Sequence, residues 1–75
     1  MDVPRIDAWL LHCLAVLVRQ SNVTRAGAEL GLSQPACSST LARLRLLFQD
    51  PLLVKSGSGM VPTARAMELA TRAEK

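Results

Sequence analysis

Two helical segments separated by a very short turn constrain the fold of this 75-residue chain more than any other feature. Thr24 is suited to cap a short helix over residues 25–30, and Gly31 supplies the left-handed backbone conformation that ends it. Ser33 can then cap a second, longer helix. A short helix, a turn that contains glycine and a longer helix make up the helix-turn-helix arrangement. The spacing predicts this arrangement over residues 23–42.

The flanking segments predict a winged form of the motif. Asp7 can cap a first helix over residues 8–20, whose apolar side chains recur every three or four positions. Residues 52–54 and 60–61 predict two short strands joined by a glycine-rich turn. Thr63 can cap a last helix. The predicted fold class is therefore mostly α, a winged helix-turn-helix of three helices and a two-stranded β wing, followed by the start of a longer helix.

Composition narrows the possible functions. Trp9 and Phe48 are the only aromatic residues, which excludes the ring platforms on which single-stranded nucleic acids stack. Residues 1–37 carry three basic and three acidic side chains, whereas residues 38–75 carry six basic and three acidic ones. A polyanionic partner would therefore contact the second half of the chain. We can assemble no nucleophile with a base, no pair of catalytic carboxylates and no metal-ligand cluster, so we predict neither an enzyme nor a metal site.

The remaining composition points to an intracellular chain. Cys13 and Cys37 lie among apolar neighbours, which indicates small core residues in a reducing cytosol. The longest apolar stretch, residues 8–18, is shorter than the ~20 residues that span a bilayer. We therefore expect a cytoplasmic location without a membrane anchor. We also expect His12 to be a partly buried structural residue, and Trp9 to lie at the surface of the first helix or in a dimer contact.

The third predicted helix, over residues 33–48, has two contrasting faces. On its outward face, residues 34–42 carry no charge and are mostly small or hydroxylated, and Arg43 and Arg45 follow them. A helix that begins in this way can approach a groove between rows of phosphates closely. The opposite face is predicted to be a buried stripe at helical spacing. This stripe consists of Cys37, Leu41, Leu44 and Phe48.

Four stretches of the chain share a pattern with a known family. Residues 23–38 read VTRAGAELGLSQPACS, residues 41–45 read LARLR, residues 50–54 read DPLLV and residues 59–63 read GMVPT. Together they resemble the N-terminal domain of LysR-type transcriptional regulators, and the resemblance covers essentially the whole chain. The LARLR version of its segment looks like the branch that contains nodulation and aromatic-catabolism regulators. Arg45 stands there where many relatives have glutamate.

The resemblance implies sequence-specific binding of double-stranded DNA, with the recognition helix in the major groove and the wing on the flanking backbone or minor groove. Gln34 looks like the base-reading residue, since a Gln amide can pair with adenine. Lys55 matches the basic wing residue. The position of Ser39 is often arginine in the family. Because serine cannot make the same contact, we expect Thr40, Arg43 and Lys55 to contribute more to DNA binding. The implied DNA-binding set is Thr24, Ser33, Gln34, Pro35, Ser38, Ser39, Thr40, Arg43 and Lys55.

The resemblance also implies an organisation and partners. Residues 1–62, with the wing at 52–62, would form the DNA-binding domain, and residues 63–75 the truncated start of a linker helix that dimerises. Ala66, Met67 and Ala70 would face the partner helix. The family protein is several times longer, is a homodimer that forms a tetramer at full length, and has a C-terminal domain for a small-molecule co-inducer. The branch implies an aromatic co-inducer, and we expect no cofactor in this segment.

A second hypothesis stays open from the residues alone. The winged fold can also serve as a protein-interaction or dimerisation module that reads no specific DNA sequence. Its surface would then be the apolar last helix together with the outward side chain of Leu46. Substitution of Gln34 distinguishes the two hypotheses, because only DNA readout depends on that amide.

Overall fold

The helix-turn-helix and its wing both occur in the computed structural model, which describes residues 7–73. Within this range the chain forms four helices and one two-stranded antiparallel sheet. The predicted fold class is therefore confirmed. None of the helices in this range is both long enough and apolar enough to cross a membrane. The elements are α1 (Ala8–Gln20), α2 (Val23–Leu30), α3 (Gln34–Phe48), β1 (Leu53–Ser56), β2 (Gly59–Pro62) and α4 (Ala64–Ala73).

Side-chain caps fix where the helices begin. Asp7 accepts a hydrogen bond from the Leu10 N–H at 2.9 Å, as predicted for the start of α1. Ser33 caps α3 and Thr63 caps α4 in the same way, also as predicted.

The predicted cap of α2 is wrong. Asn22 accepts from the Arg25 N–H at 2.9 Å, so Thr24 lies inside the first turn of the helix. An Asn side chain is at least as good a cap as Thr. It therefore starts the helix two residues earlier than we expected.

The core lies between α1 and the other elements. Every residue of α1 from Cys13 to Leu17 is buried, because α2, α3 and α4 all pack against this one helix. The predicted stripe on α3 is confirmed at Cys37, Leu41 and Leu44, whereas Phe48 is only partly buried at the edge of the core. Burial of aliphatic side chains drives the folding of a chain with so few rings.

The crossing of α2 and α3 is tight at Gly27. A Cβ atom at this position would lie 3.0 Å from the Leu32 carbonyl oxygen and 3.4 Å from the Cβ of Cys37. The Leu32 N–H donates to the Gly27 carbonyl at 2.8 Å. Glycine within a helix costs ~1 kcal/mol relative to alanine. The close approach that it permits accounts for glycine at this position, as the sequence predicted.

Two predictions about the surface of α1 have different outcomes. Trp9 is about half exposed and packs its ring near that of His12, with ring centroids 5.9 Å apart. Its prediction as a surface residue of the first helix is thus confirmed. His12 is exposed rather than partly buried. The apolar sequence around it is misleading, because α1 turns His12 away from the three helices that cover its neighbours.

The last helix uses its small residues inside the chain. Ala66 is fully buried and Ala70 is 6% exposed, while Met67 is 55% exposed. Ala66 belongs to the same buried cluster as the core residues of α1. The expectation that Ala66 and Ala70 face a partner helix therefore does not fit the structure. Only Met67 of the three remains on the surface.

The wing is a hairpin anchored at one end. Leu53 lies opposite Pro62, and Ser56 lies opposite Gly59 at the turn. Both strands extend closer to the turn than we predicted, and Leu52 precedes β1 instead of belonging to it. The side chains of Leu52 and Leu53 are buried in the core. This anchor compensates for the marginal stability of an isolated hairpin.

The left-handed residue that ends α3 offers a test of local strain. Gln49 has φ of 50° and is exposed. Because a residue with a Cβ is disfavoured there and glycine is not, we expect Gln49→Gly to raise the free energy of unfolding by ~0.5–1 kcal/mol. Urea denaturation measures the change.

Ser21 provides the matched control for that substitution. It ends α1 with φ of 49°, but its hydroxyl donates to the Val18 carbonyl at 2.9 Å. Ser21→Gly loses this hydrogen bond while it relieves the same backbone strain. We therefore expect a smaller gain than for Gln49→Gly. Equal or lower stability of Gln49→Gly relative to the wild type would contradict the argument.

Candidate nucleic-acid interface

A groove of about 440 Å³ lies between the start of α2, the start of α3 and the wing. The helix-turn-helix brings the two helix starts together, and the hairpin closes the third side. None of the residues that line the groove is acidic. The lining residues are Ser21, Asn22, Val23, Thr24, Gln34, Ser38, Lys55, Gly57, Ser58, Gly59 and Met60.

Four residues of the predicted DNA-binding set share this groove. Thr24 comes from α2, Gln34 and Ser38 come from successive turns of α3, and Lys55 comes from β1. The four side chains are exposed. Residues up to 31 positions apart in sequence, from Thr24 to Lys55, are thus brought to one concave surface.

The rest of the predicted set lies along the outer surface of α3, outside the groove. Ser33, Pro35, Ser39 and Arg43 are exposed. Thr40 differs from them, because it is half-buried and its hydroxyl donates to the Ala36 carbonyl at 2.9 Å. That hydrogen bond gives the hydroxyl an intrahelical partner. Thr40 is therefore the member of the set least available to a ligand.

The helix starts contribute positive potential to the groove. The first N–H groups of a helix have no intrahelical partners and carry a partial positive charge, which favours anions nearby. Both α2 and α3 begin at the groove, with Val23 and Gln34 among its lining residues. Lys55 adds a full charge on the facing strand. The combination is suited to phosphate oxygens.

The acidic side chain of α2 points away from this positive surface. Glu29 accepts hydrogen bonds from the guanidinium of Arg19 and from the Gln20 amide at 2.8 Å, outside the groove. The hydrogen bonds from Arg19 and then Gln20 lower the pKa of Glu29 to about 2. The ion pair of Arg19 and Glu29 joins α1 to α2. It engages the one carboxylate of α2 outside the groove lining.

Sequence reasoning missed part of the groove and misplaced one cation. The turn residues Gly57, Ser58 and Gly59 line the groove, yet their sequence indicated only a flexible turn. The sequence predicts that Arg45, like Arg43, is a cation near the phosphates. Its guanidinium instead donates to backbone carbonyls before and within β1, because α3 directs this position towards the wing.

The base of the wing is fixed to the start of α4 by one carboxylate. Asp50 accepts from the Leu52 N–H at 2.9 Å and from the Thr63 hydroxyl at 2.7 Å. The hydrogen bond from Thr63, followed by that from Leu52, lowers the pKa of Asp50. The residues of 7–73 include no group of three or more His, Cys, Asp or Glu side chains that could hold a metal ion.

Comparison with known proteins gives a consistent match. The family model of bacterial regulatory helix-turn-helix proteins of the lysR family matches residues 9–67. The chain is 47% identical over 72 residues to the transcriptional regulator SyrM of Rhizobium etli, covering 96% of this chain and 21% of that protein. It is 45% identical over 64 residues to the regulator LeuO of Escherichia coli, covering 85% of this chain and 20% of that protein. The chain thus spans about a fifth of the length of these curated relatives.

Nodulation protein D 2 of Sinorhizobium fredii is also similar. It is 43% identical over 65 residues, covering 87% of this chain and 21% of that protein. Its similarity agrees with the branch that the sequence indicated.

Solved structures share the fold. The transcriptional regulator PA0477 of Pseudomonas aeruginosa superposes with a TM-score of 0.85 at 40% identity, over 93% of this chain and 24% of that one. Vibrio fischeri DarR, solved in complex with DNA, superposes with a TM-score of 0.82 over 93% of this chain and 24% of that one. Its identity of 18% means that this second match shows the fold alone.

The Asp50 hydrogen bonds predict a dependence of stability on pH. Since the pKa of Asp50 is lower in the folded chain, its contribution is complete above the unfolded pKa of ~3.9. The contribution disappears as the pH falls through the folded value. We expect the wild type to be more stable than Asp50→Asn at pH 7, and the difference to shrink below about pH 4.

Urea denaturation of both chains between pH 7 and pH 2.5 measures this difference. Glu68→Gln removes an exposed carboxylate of α4 and is the matched control. An Asp50→Asn difference that stays constant across the whole range would contradict the role assigned to Asp50.

Proposed function

The chain belongs to the LysR family of bacterial regulatory helix-turn-helix proteins, and on that premise we propose that it binds double-stranded DNA in a sequence-specific manner. The start of α3 enters the major groove, and the wing contacts the flanking backbone or minor groove. The observation that carries the proposal is the groove shared by Thr24, Gln34, Ser38 and Lys55. It combines the Gln34 amide with positive potential from the starts of α2 and α3 and from Lys55 on β1.

Gln34 is the residue proposed to read bases. It is the first residue of α3 and is exposed at the groove. In helix-turn-helix proteins the first turns of the second helix contact base edges. A Gln amide donates to and accepts from adenine at N7 and N6, which distinguishes adenine from the other bases. Pro35 and Ser39, exposed beside it, add apolar and hydroxyl contacts.

Phosphate contacts come from the elements around Gln34. The positive dipole ends of α2 and α3 lie at the groove, with Thr24 and Ser33 beside them. Arg43 is exposed further along α3, and Lys55 lies on the wing. DNA backbone held between α3 and the wing would be contacted from both sides. Such contacts fix the register of Gln34 on the duplex.

The proposal for the whole protein goes beyond this segment. Its relatives SyrM and LeuO are about five times as long as the matched part, which supports a further domain. The proposal is that this domain binds a small-molecule co-inducer. We propose a cytoplasmic regulator that acts as a homodimer, and as a tetramer at full length. The exposed Met67 on α4 is the residue that we assign to the dimer contact. The proposal includes an aromatic co-inducer, on the basis of the resemblance to the nodulation and aromatic-catabolism branch.

Lys55 tests the phosphate contacts. Selection from a pool of random duplexes supplies a preferred site, and the affinity of the chain for it is measured against salt concentration. The logarithm of affinity should fall linearly with the logarithm of salt, by ~0.9 for each phosphate neutralised. We expect Lys55→Gln to lower the affinity for all duplex sequences alike and to make the slope shallower by about 0.9.

The matched control is Arg72→Gln, which removes one charge from the exposed surface of α4. It should leave the slope unchanged. Affinity that does not vary with salt in the wild type would argue against DNA binding and for the protein-interaction module.

Gln34 tests the base readout. We expect Gln34→Ala to reduce the preference for the selected site over single-base variants by ~1–3 kcal/mol at one position. Competition binding against duplexes that differ at each position measures the preference. Lys55→Gln serves as the contrast, because it should lower affinity without changing the preference. An unaltered preference in Gln34→Ala would eliminate Gln34 as the reading residue.

A further inference from the structure

Arg45 lies near the end of the recognition helix, but its guanidinium contacts the start of the wing. Its Nε donates to the Pro51 carbonyl at 2.7 Å, and its Nη2 donates to the Leu53 carbonyl at 3.0 Å. We refer to residues 50–53 as the wing root. The guanidinium therefore spans the wing root from the side of α3.

The backbone of the wing root is strained. The Leu53 N–H donates to the Pro51 carbonyl at 2.7 Å, which closes a three-residue turn around Leu52. Leu52 has φ of 65°, in the left-handed region that a leucine rarely adopts. Turns of this size with a positive central φ are rare and strained. The surrounding contacts must therefore hold Leu52 in place.

Hydrogen bonds hold the wing root from within and from two neighbouring elements. Asp50 accepts from the Leu52 N–H at 2.9 Å, and the Thr63 N–H donates to the Leu52 carbonyl at 2.9 Å. The carbonyl of Leu53 points away from β2, because the bond from the Thr63 N–H to the Leu52 carbonyl makes Leu53 and Pro62 a pair that exchanges no hydrogen bonds. Arg45 supplies a donor to this outward carbonyl. It also gives the Pro51 carbonyl a second hydrogen bond.

The wing root leads directly to the residues that form the third side of the groove. Lys55 is two positions beyond Leu53 on the same strand, and the turn at Gly57 and Ser58 follows it. Beyond the wing root, Val54 and Val61 are exposed, and Met60 packs against the edge of the core. The angle at which the hairpin leaves the wing root therefore determines where Lys55 lies relative to Gln34.

We propose that Arg45 is a positioning residue for DNA recognition, a role that rests on the proposed function. Its guanidinium fixes the wing root to α3 and thereby holds Lys55 across the groove from Gln34. A guanidinium is suited to this because its planar donors reach two carbonyls at once, whereas a lysine ammonium is a point charge. Arg45 itself does not touch DNA.

The first experiment needs no DNA. Amide hydrogen exchange is compared between the wild type and Arg45→Met, with Arg72→Met as the control for the lost charge. In Arg45→Met we expect the wing amides that are hydrogen-bonded across the hairpin to exchange roughly tenfold faster, while the amides of α1 keep their protection. By the register of the hairpin these are the amides of Val54, Ser56, Gly59 and Val61. Unchanged exchange in the wing would overturn the proposal.

The second experiment locates the effect on DNA. Hydroxyl-radical footprints on the selected duplex are compared at equal occupancy. We expect Arg45→Met to lose protection in the flanks and to keep it over the bases contacted by α3, with a salt slope shallower by about 0.9. Arg72→Met should keep the wild-type footprint and slope. Uniform loss of protection would assign Arg45 to folding alone and overturn the proposal.

Arg45→Lys keeps the test decisive should Arg45→Met fold poorly, as judged by circular dichroism. Arg45→Lys retains the charge but lacks the planar guanidinium. The protection of the flanks should therefore lie between that of the wild type and the loss expected for Arg45→Met. If Arg45→Lys showed the footprint and the wing amide exchange of the wild type, the planar guanidinium would not be required, and this would overturn that part of the proposal. A wild-type chain without any footprint would instead refute the proposed function, and the exchange experiment would still report on the wing root.

Discussion

The contact between α2 and α3 at Gly27 is the constraint on which the rest of the structure depends. With no side chain at Gly27, the Leu32 carbonyl and Cys37 come within van der Waals distance of α2. This crossing buries the start of α3 on one side and leaves Gln34 exposed on the other. The groove exists because both helix starts emerge on the same side of the crossing. A wider crossing would move Gln34 away from Thr24 and from the wing.

Features set by local interactions could be predicted from the sequence. The caps Asp7, Ser33 and Thr63 act on residues three positions away, so their effect can be recognised without knowledge of the tertiary fold. The buried stripe from Cys37 to Leu44 follows from helical periodicity on a helix covered along one side. The grouping of Gln34 with Lys55 depended on the family pattern, since no local signal connects a helix start with a hairpin.

Features set by tertiary packing could not be predicted. The burial of Ala66 requires knowledge that α4 packs on α1, and a small residue fits a partner helix or its own core equally well. His12 is exposed because only part of the circumference of α1 is covered, which its apolar neighbours conceal. The side chain of Arg45 could point to solvent or to the wing, and only the path of the chain after Pro51 decides between them.

The attachment of α4 has a mechanical consequence. Its buried face joins it to α1 at Ala66 and Ala70, and the Thr63 hydroxyl ties its first turn to Asp50. The helix is thus fixed to the core along one side and to the base of the hairpin at its start. The orientation of α4 relative to the helix-turn-helix and its wing is therefore fixed. In a symmetric pair, the crossing angle of two such α4 helices would set the distance between the recognition helices, and with it the spacing of half-sites that the pair can span.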